Sequence, residues 1–260
     1  MTERDAPADV PHLPLREYYE AEAQRAGFVR EMFDSTAGDY DRMEAVLGLG
    51  TGQWYRGQAL GRAGLAAGMR VLDVGIGTGL VAREAVRIAG SSALVIGLDP
   101  SPGMLAHARV PEGVQLIEGR AEAIPFPDES FDFLSMGYAL RHLSDLTTAF
   151  REFRRVLRPG GRLCLLEITL PEGRLRRAFL KFYMKGVVPT VGMVVARGGN
   201  TRRLWRYYWD TIEACVPPAH VLESLRAAGF EDVRRHVELA ALGIFSEFQA
   251  TRSAAGNGPL

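Results

Sequence analysis

The chain has 260 residues, 47% of them hydrophobic, and its 31 Lys plus Arg balance 31 Asp plus Glu. That length suits one large α/β domain, or a domain with a helical extension, and a single domain is the simpler reading. The balanced charge supplies no overall field to recruit nucleic acid or an anionic membrane, and Cys164 and Cys215 are too far apart to suggest a zinc site or a disulfide framework.

Met1 to Pro14 is polar and proline-bearing without an apolar signal region, and no stretch reaches the apolar length of a membrane span. These features predict a soluble, cytoplasmic chain with frayed ends at residues 1–14 and 253–260. Leu15 to Phe33 mixes apolar and charged residues as a helix does, and the polar segment Asp34 to Arg42 carries helix-starting residues. Tyr40 and Asp41 there read as a cap and anchor of a helix. Gln53 to Ala66 predicts a further helix leading into a sheet.

Arg70-Val-Leu-Asp-Val-Gly-Ile-Gly-Thr-Gly79 is the stretch around which the rest is organised. Val71, Leu72 and Val74 suit a buried parallel strand, and Gly75, Gly77 and Gly79 force a tight turn whose backbone a ligand can approach closely. Leu80 to Ala89 then reads as a helix whose N-terminus faces the turn. A second apolar run, Ala93 to Leu98, ends in Asp99, about 20 residues past the turn, where a carboxylate can accept both hydroxyls of a ribose. The turn alone fits a nucleotide site or a structural bend; turn plus spaced acid favours the nucleotide site.

Pro100-Ser-Pro-Gly-Met104 opens a short helix with Ser101 as cap and Pro102 in its first turn. Met104 suits either a core gap or the face of a bound nucleoside. Val114 to Ile117 predicts a third strand, Glu118 to Phe126 a loop after it, and Phe131 to Met136 a fourth strand. Asp145 to Leu157 reads as a helix capped by Ser144, with a solvated basic face at Arg151, Arg154, Arg155 and Arg158. Pro159-Gly-Gly161 breaks it before a fifth strand, Arg162 to Ile168, where Cys164 reads as inert core.

From Pro171 to Val216 the pattern becomes helical and rich in Arg, Phe, Tyr and Trp. Arg174 to Lys185 combines cations with aromatics and reads as a membrane contact, a lid, a dimer surface or a packed surface helix. His220 to Ala228 predicts a helix stopped at Gly229, and Phe230 to Leu239 with Leu242 to Thr251 a closing strand pair. The expected class is therefore α/β, a doubly wound, mostly parallel seven-stranded sheet with N-terminal helices and a helical insertion before the last two strands. Within the single domain 1–260, residues 15–66 form an N-terminal helical cap, 70–169 the core, 171–216 the insertion, and 217–251 the closing helix and strands. The sheet rule places a ligand outside the carboxyl ends of the strands, where residues 75–79, 99–104, 119–123 and 137–142 converge.

The spacing from Asp73 to Gly79, with a third glycine one residue earlier than in dinucleotide enzymes, resembles motif I of the class I S-adenosylmethionine (SAM) methyltransferases. Met32-Phe-Asp34, Tyr40-Asp-Arg-Met43, Gly97 to Ser101, Ile124 to Asp132, Leu140 to Asp145, Arg155 to Gly161 and Leu166-Glu167 look like the ubiquinone/menaquinone biosynthesis C-methyltransferases. The similarity runs in register from about Phe28 to about Thr251. Three positions differ: Glu44 and His142 stand where the family tends to place Asn, and Arg120 where many relatives have Asp.

The resemblance implies SAM as cofactor, no metal, and transfer of a methyl group to a small aromatic acceptor, most simply a ring carbon of a quinol. O- or N-methylation of another small molecule, and a SAM-binding accessory protein, are the other readings. It assigns Asp73, Gly75, Gly77, Gly79, Asp99, Pro100, Met104, Arg120, Ala121, Glu122, Gly137 and Tyr40 to the cofactor. Tyr138, Arg141 and His142 are the candidates for the chemistry: His142 as a base or a structural histidine, Arg141 as an electrostatic stabiliser because its own pKa stays above about 12.

Overall fold

A computed structural model describes residues 9–47, 51–188, 190, 201–238 and 243–254. Seven strands, β1 (Val71–Val74), β2 (Val95–Asp99), β3 (Gln115–Glu118), β4 (Phe131–Gly137), β5 (Leu157–Ile168), β6 (Phe230–Glu238) and β7 (Phe245–Arg252), form one sheet in the order β3-β2-β1-β4-β5-β7-β6. β1 to β5 pair in parallel, and β7 runs antiparallel to both β5 and β6. The expected mostly parallel sheet with a closing strand pair is what the chain forms.

Side chains alternate across this sheet with the period of two that pleating imposes. Leu72, Val74, Leu134, Met136, Leu163 and Leu165 face one core, packed under α5 (Leu146–Val156) and α8 (Pro218–Ala227). Val71, Phe133, Cys164 and Leu166 face the other, under α2 (Gly52–Arg62) and α3 (Leu80–Ala89). Covered on both faces, β1 and β2 are buried along their whole length, which is why they read as unbroken apolar runs. Cys164 is fully buried, and burial pushes its thiol pKa up, so it is inert.

A third cluster lies off the sheet. There α1 (Glu22–Leu47) meets α6 (Arg174–Phe182), its π-helical continuation Tyr183–Val187, and α7 (Thr201–Ala214) through Val29, Met32, Leu180, Met184, Trp205 and Trp209. The short α4 (Pro102–Ala106) carries Ser101 as its cap, the Oγ accepting from the Met104 amide. The strand order reverses between β1 and β4, so the crevice outside their carboxyl ends lies between the sheet and this third cluster.

Five local expectations are corrected. The polar segment at Asp34 lies inside one continuous α1, because Ser35 Oγ and Thr36 Oγ1 donate back to the Met32 carbonyl at 2.9 and 2.8 Å. Asp145, not Ser144, caps α5, its carboxylate accepting from the Thr148 amide. Arg155 and Arg158 are not a merely solvated face: Arg155 bonds Glu152, Asp128 and the carbonyls of Ile124 and Phe126, and Arg158 pairs with Asp132. β5 starts at Leu157 rather than Arg162, with a register shift that absorbs Pro159-Gly-Gly161. From Asp9 onward the N-terminus is tied down, since Asp9 accepts from Ser224 Oγ and bonds the His220 ring, while Val216 donates to the Pro11 carbonyl. Residues 1–8 and 255–260 of the expected frayed ends, 189 and 191–200 of the insertion, and Leu239 and Leu242 of the closing strands lie outside the described residues.

Asp145→Ala removes the cap of α5 and costs about 1 kcal/mol in urea unfolding, while Ser144→Ala, which leaves the cap in place, costs less.

Candidate functional site

The site is built from the turn after β1. The Gly75 and Ile76 amides donate to the Leu98 carbonyl at 2.7 and 3.1 Å, which stitches the turn to β2. Gly77 and Gly79 both take positive φ, 54° and 89°, and a side chain at Gly79 would also run into Val110. Asp99 closes the arrangement: its carboxylate accepts the Gly77 amide at 2.8 Å and the Ser101 amide at 2.9 Å. Burial raises its pKa to about 6 against the pull of those two amides.

A cavity of about 700 Å³ opens above this turn, within the range of sites for small molecules and cofactors. Gly75, Gly77, Asp99, Pro100, Met104, Arg120, Ala121, Glu122, Gly137, Tyr138, His142 and Tyr40 all line it. Three expected residues do not. Asp73 is buried inside β1, where Ser135 Oγ donates to it at 2.7 Å and burial raises its pKa to about 7. Gly79 starts α3, and Arg141 is fully buried one layer behind the wall.

Helix α1 forms the opposite wall. Asp34 Oδ1 accepts from the Gly103 amide at 2.8 Å and from Ser101 Oγ, which hooks α1 onto the start of α4. Arg30 bridges to Glu118 at 3.1 Å. Arg30, Phe33 and Glu118 line the cavity and are not among the expected site residues: no spacing rule links a helix 40-odd residues upstream to the glycine turn, and Glu118 is the last residue of β3, just before the expected stretch 119–123. The only signal was the Met32-Phe-Asp34 phrase. Asp41 instead faces Arg83 of α3 at 3.8 Å.

Beyond the first cavity lies a smaller, apolar one of about 70 Å³, walled by Leu180, Met184, Leu204, Trp205, Ile244 and Phe245. Tyr40, Tyr138 and Tyr208 border both spaces. The Tyr40 and Tyr208 hydroxyls share a hydrogen bond of 2.7 Å, and burial raises all three phenol pKa values, so the partition is neutral. Tyr138 sits at φ 60°, an uncommon conformation for an aromatic residue that places backbone strain at the junction. The small cavity's polar edge is the ion pair of Arg56 with Glu44, and Arg56 is 2% exposed.

His142 lines the first cavity only, stacked on Tyr207 at 5.6 Å, with Nδ1 and the Tyr207 hydroxyl 3.3 Å apart. Its Nε2 is buried and has no hydrogen-bond partner. Burial, then the charges of Arg141 and Arg25, hold its pKa well below the usual imidazole value, so the ring is neutral at physiological pH. Arg141 supports this wall from behind: it pairs with Glu167, donates to the Tyr138 carbonyl at 2.9 Å, and lies 4.5 Å from the Tyr208 ring centroid.

Residues 19–251 match the ubiE/COQ5 methyltransferase family. The chain belongs to that family. Among curated relatives, the ubiquinone/menaquinone biosynthesis C-methyltransferase UbiE of Hahella chejuensis is 32% identical over 86% of this chain and 89% of its own length. The demethylmenaquinone methyltransferase of Lactococcus lactis is 36% identical over 78% of this chain and 81% of its own. Among solved structures, a SAM-dependent methyltransferase of Thermotoga maritima superposes with a TM-score of 0.60 at 24% identity, over 86% of this chain and 99% of that one. The [4+2]-cyclase SpnF superposes with a TM-score of 0.62 at 20% identity, over 96% and 100%. At those identities the two structures establish the fold.

Membership makes this a SAM-dependent methyltransferase, and the residues present fit the cofactor. A side chain at Gly77 would meet nothing within 4 Å, so the backbone there lies open to a ligand, while one at Gly75 would meet Ala139 at 2.8 Å. Asp99 adds a carboxylate suited to diol hydroxyls, and Met104 an apolar, polarizable surface. If Asp99 takes those hydroxyls as its anion, SAM affinity is expected to be constant above about pH 6 and to fall up to tenfold per pH unit below it. Calorimetric titrations across pH 5 to 8 check this, and Asp99→Asn abolishes the low-pH limb.

Proposed function

We propose that the chain transfers the SAM methyl group to a ring carbon of a quinol-like phenol held in the apolar cavity. The observation that carries the proposal is the shared tyrosine wall: a cavity with a carboxylate and open amides meets an apolar one at Tyr40, Tyr138 and Tyr208. When bound, SAM supplies an electrophilic methyl group on a sulfonium. The chain's own residues then have two tasks, to hold donor and acceptor aligned and to manage the phenol proton.

Holding falls to the nucleotide cavity. The Gly75-to-Gly79 turn, Asp99 and Pro100 would take the ribose and the chain beyond it, with Asp73 bracing the strand below. Met104, Arg120, Ala121, Glu122 and Gly137 would border the base. Glu122 already accepts the Ser144 amide at 2.7 Å, and Arg120 reaches Ser144 Oγ at 3.0 Å, so this loop is pre-set by its own bonds. Tyr40 would shield the junction from water.

Proton handling falls to His142. A carbon nucleophile needs electron density pushed in from a phenol oxygen, which requires that oxygen to give up its proton. A neutral imidazole facing the tyrosine partition from the first cavity accepts the phenol's hydrogen bond and takes its proton as the ring carbon is methylated. That carbon's own hydrogen then leaves as a proton and the phenol re-forms. Burial next to Arg141 and Arg25 keeps the imidazole unprotonated in advance while weakening it as a base. Tyr138, held protonated, orients the ring rather than acting as a base. Arg141 is a positioning residue that fixes Tyr208 and the Tyr138 backbone. Arg56 and Glu44 meet the acceptor's polar edge. In this reading the described residues of 15–66 and of 171–216 close over the core 70–169, those of 217–251 complete the sheet, and the chain works as a single domain.

The test is to incubate the enzyme with SAM and a demethylated quinol, then locate the new methyl by mass spectrometry and NMR; a carbon-bound methyl is expected, and an oxygen- or nitrogen-bound one contradicts the reading. His142→Ala lowers kcat about 100-fold with SAM affinity unchanged, and His142→Asn, which keeps a hydrogen-bonding group, loses less. At saturating SAM, wild-type kcat shows no His142 limb near pH 6.5.

A further inference from the structure

Helix α6 has two apolar faces. Leu180 is buried in the third cluster and, with Met184 one turn on, lines the acceptor cavity. On its other side Leu175, Phe179 and Phe182 are 88%, 54% and 67% exposed. At about 100° per residue these three fall within one narrow stripe, opposite Leu180. A single exposed apolar residue needs no explanation; three large ones aligned on one helix face do.

The charges around the stripe point to its partner. Residues 174–185 hold five basic residues and no acidic one, in a chain whose net charge is zero. Lys181 and Lys185 are paired with Glu213 and Asp210 of α7 at 3.1 and 3.6 Å, and by the same helical geometry Arg174 lies on one flank of the stripe and Arg176 on the other. An apolar ridge between basic flanks is the pattern of a helix lying in the plane of an anionic bilayer surface. A two-fold contact between copies would set the basic flanks of one stripe against those of the other, which like-charge repulsion opposes.

We propose that α6 docks the enzyme on an anionic lipid surface through Leu175, Phe179 and Phe182, with Arg174 and Arg176 among the headgroups. The inference extends the acceptor reading above, because docking through α6 sets the acceptor cavity beside the bilayer, where an apolar phenol would partition. Its test does not pass through turnover.

The full chain is sedimented with vesicles of phosphatidylcholine alone and of phosphatidylcholine mixed with phosphatidylglycerol. Two variants are compared with wild type: Leu175→Ser/Phe179→Ser/Phe182→Ser and Arg174→Glu/Arg176→Glu. The thermal shift produced by SAM verifies that each remains folded. Wild type is expected to bind the phosphatidylglycerol vesicles at least about tenfold more tightly than either variant, and to lose binding as salt rises. The proposal is overturned if wild type does not sediment, if both variants sediment equally with it, or if the serine variant alters only self-association in sedimentation velocity. A wild type that does not dock yet methylates a water-soluble phenol would overturn this inference alone; a wild type that docks yet methylates no phenol would overturn the acceptor reading alone.

Discussion

The grip of the Asp99 carboxylate on the amides of Gly77 and Ser101 is the contact from which the rest of the site follows. One side of it sets the glycine turn at the end of β1; the other sets the start of α4. Asp34 then accepts from the same stretch, at Ser101 and Gly103, and so carries α1 across the crevice. A single carboxylate at the end of β2 thus fixes the floor of the nucleotide cavity and the anchor for its roof. The cost is a buried anion, visible in its raised pKa, which two amide hydrogen bonds offset.

Charge is arranged around the second cavity so that the space itself stays apolar. Arg141 and Glu167 neutralise each other behind the wall, and Arg56 and Glu44 do so at its edge. What faces the junction is three neutral phenols and a neutral imidazole. Replacing one partner of the Arg141–Glu167 pair would strand a buried charge, a change that typically costs about 3–5 kcal/mol. Arg141 therefore works through Tyr208 and the Tyr138 backbone, to which its guanidinium is bound.

Much of this was legible beforehand, for reasons that differ by element. β1 and β2 declared themselves because burial on both faces demands unbroken apolar runs, and the glycine turn because few residues tolerate its geometry. Tyr138 and His142 were placed on the rim by the sheet rule alone. The boundary within α1 was misread because serine and threonine favour helix starts, yet here their hydroxyls bond back to Met32. Asp145 was passed over for Ser144, since both are good caps and only backbone position decides between them. Arg30, Phe33 and the tyrosine partition were invisible because they are assembled by packing between α1, α7 and the sheet, contacts with no local sequence pattern. His142's neutrality likewise depends on Arg25 and Arg141 standing beside it in space.

The most direct test is a crystal structure of the chain with S-adenosylhomocysteine and a phenolic acceptor. The expected result is a ribose on Asp99 and the acceptor ring beside Tyr40, Tyr138 and Tyr208, its hydroxyl within hydrogen-bond reach of His142 Nε2. A nucleoside bound away from the carboxyl ends of β1 and β2, or an acceptor bound outside the tyrosine wall, would contradict the account.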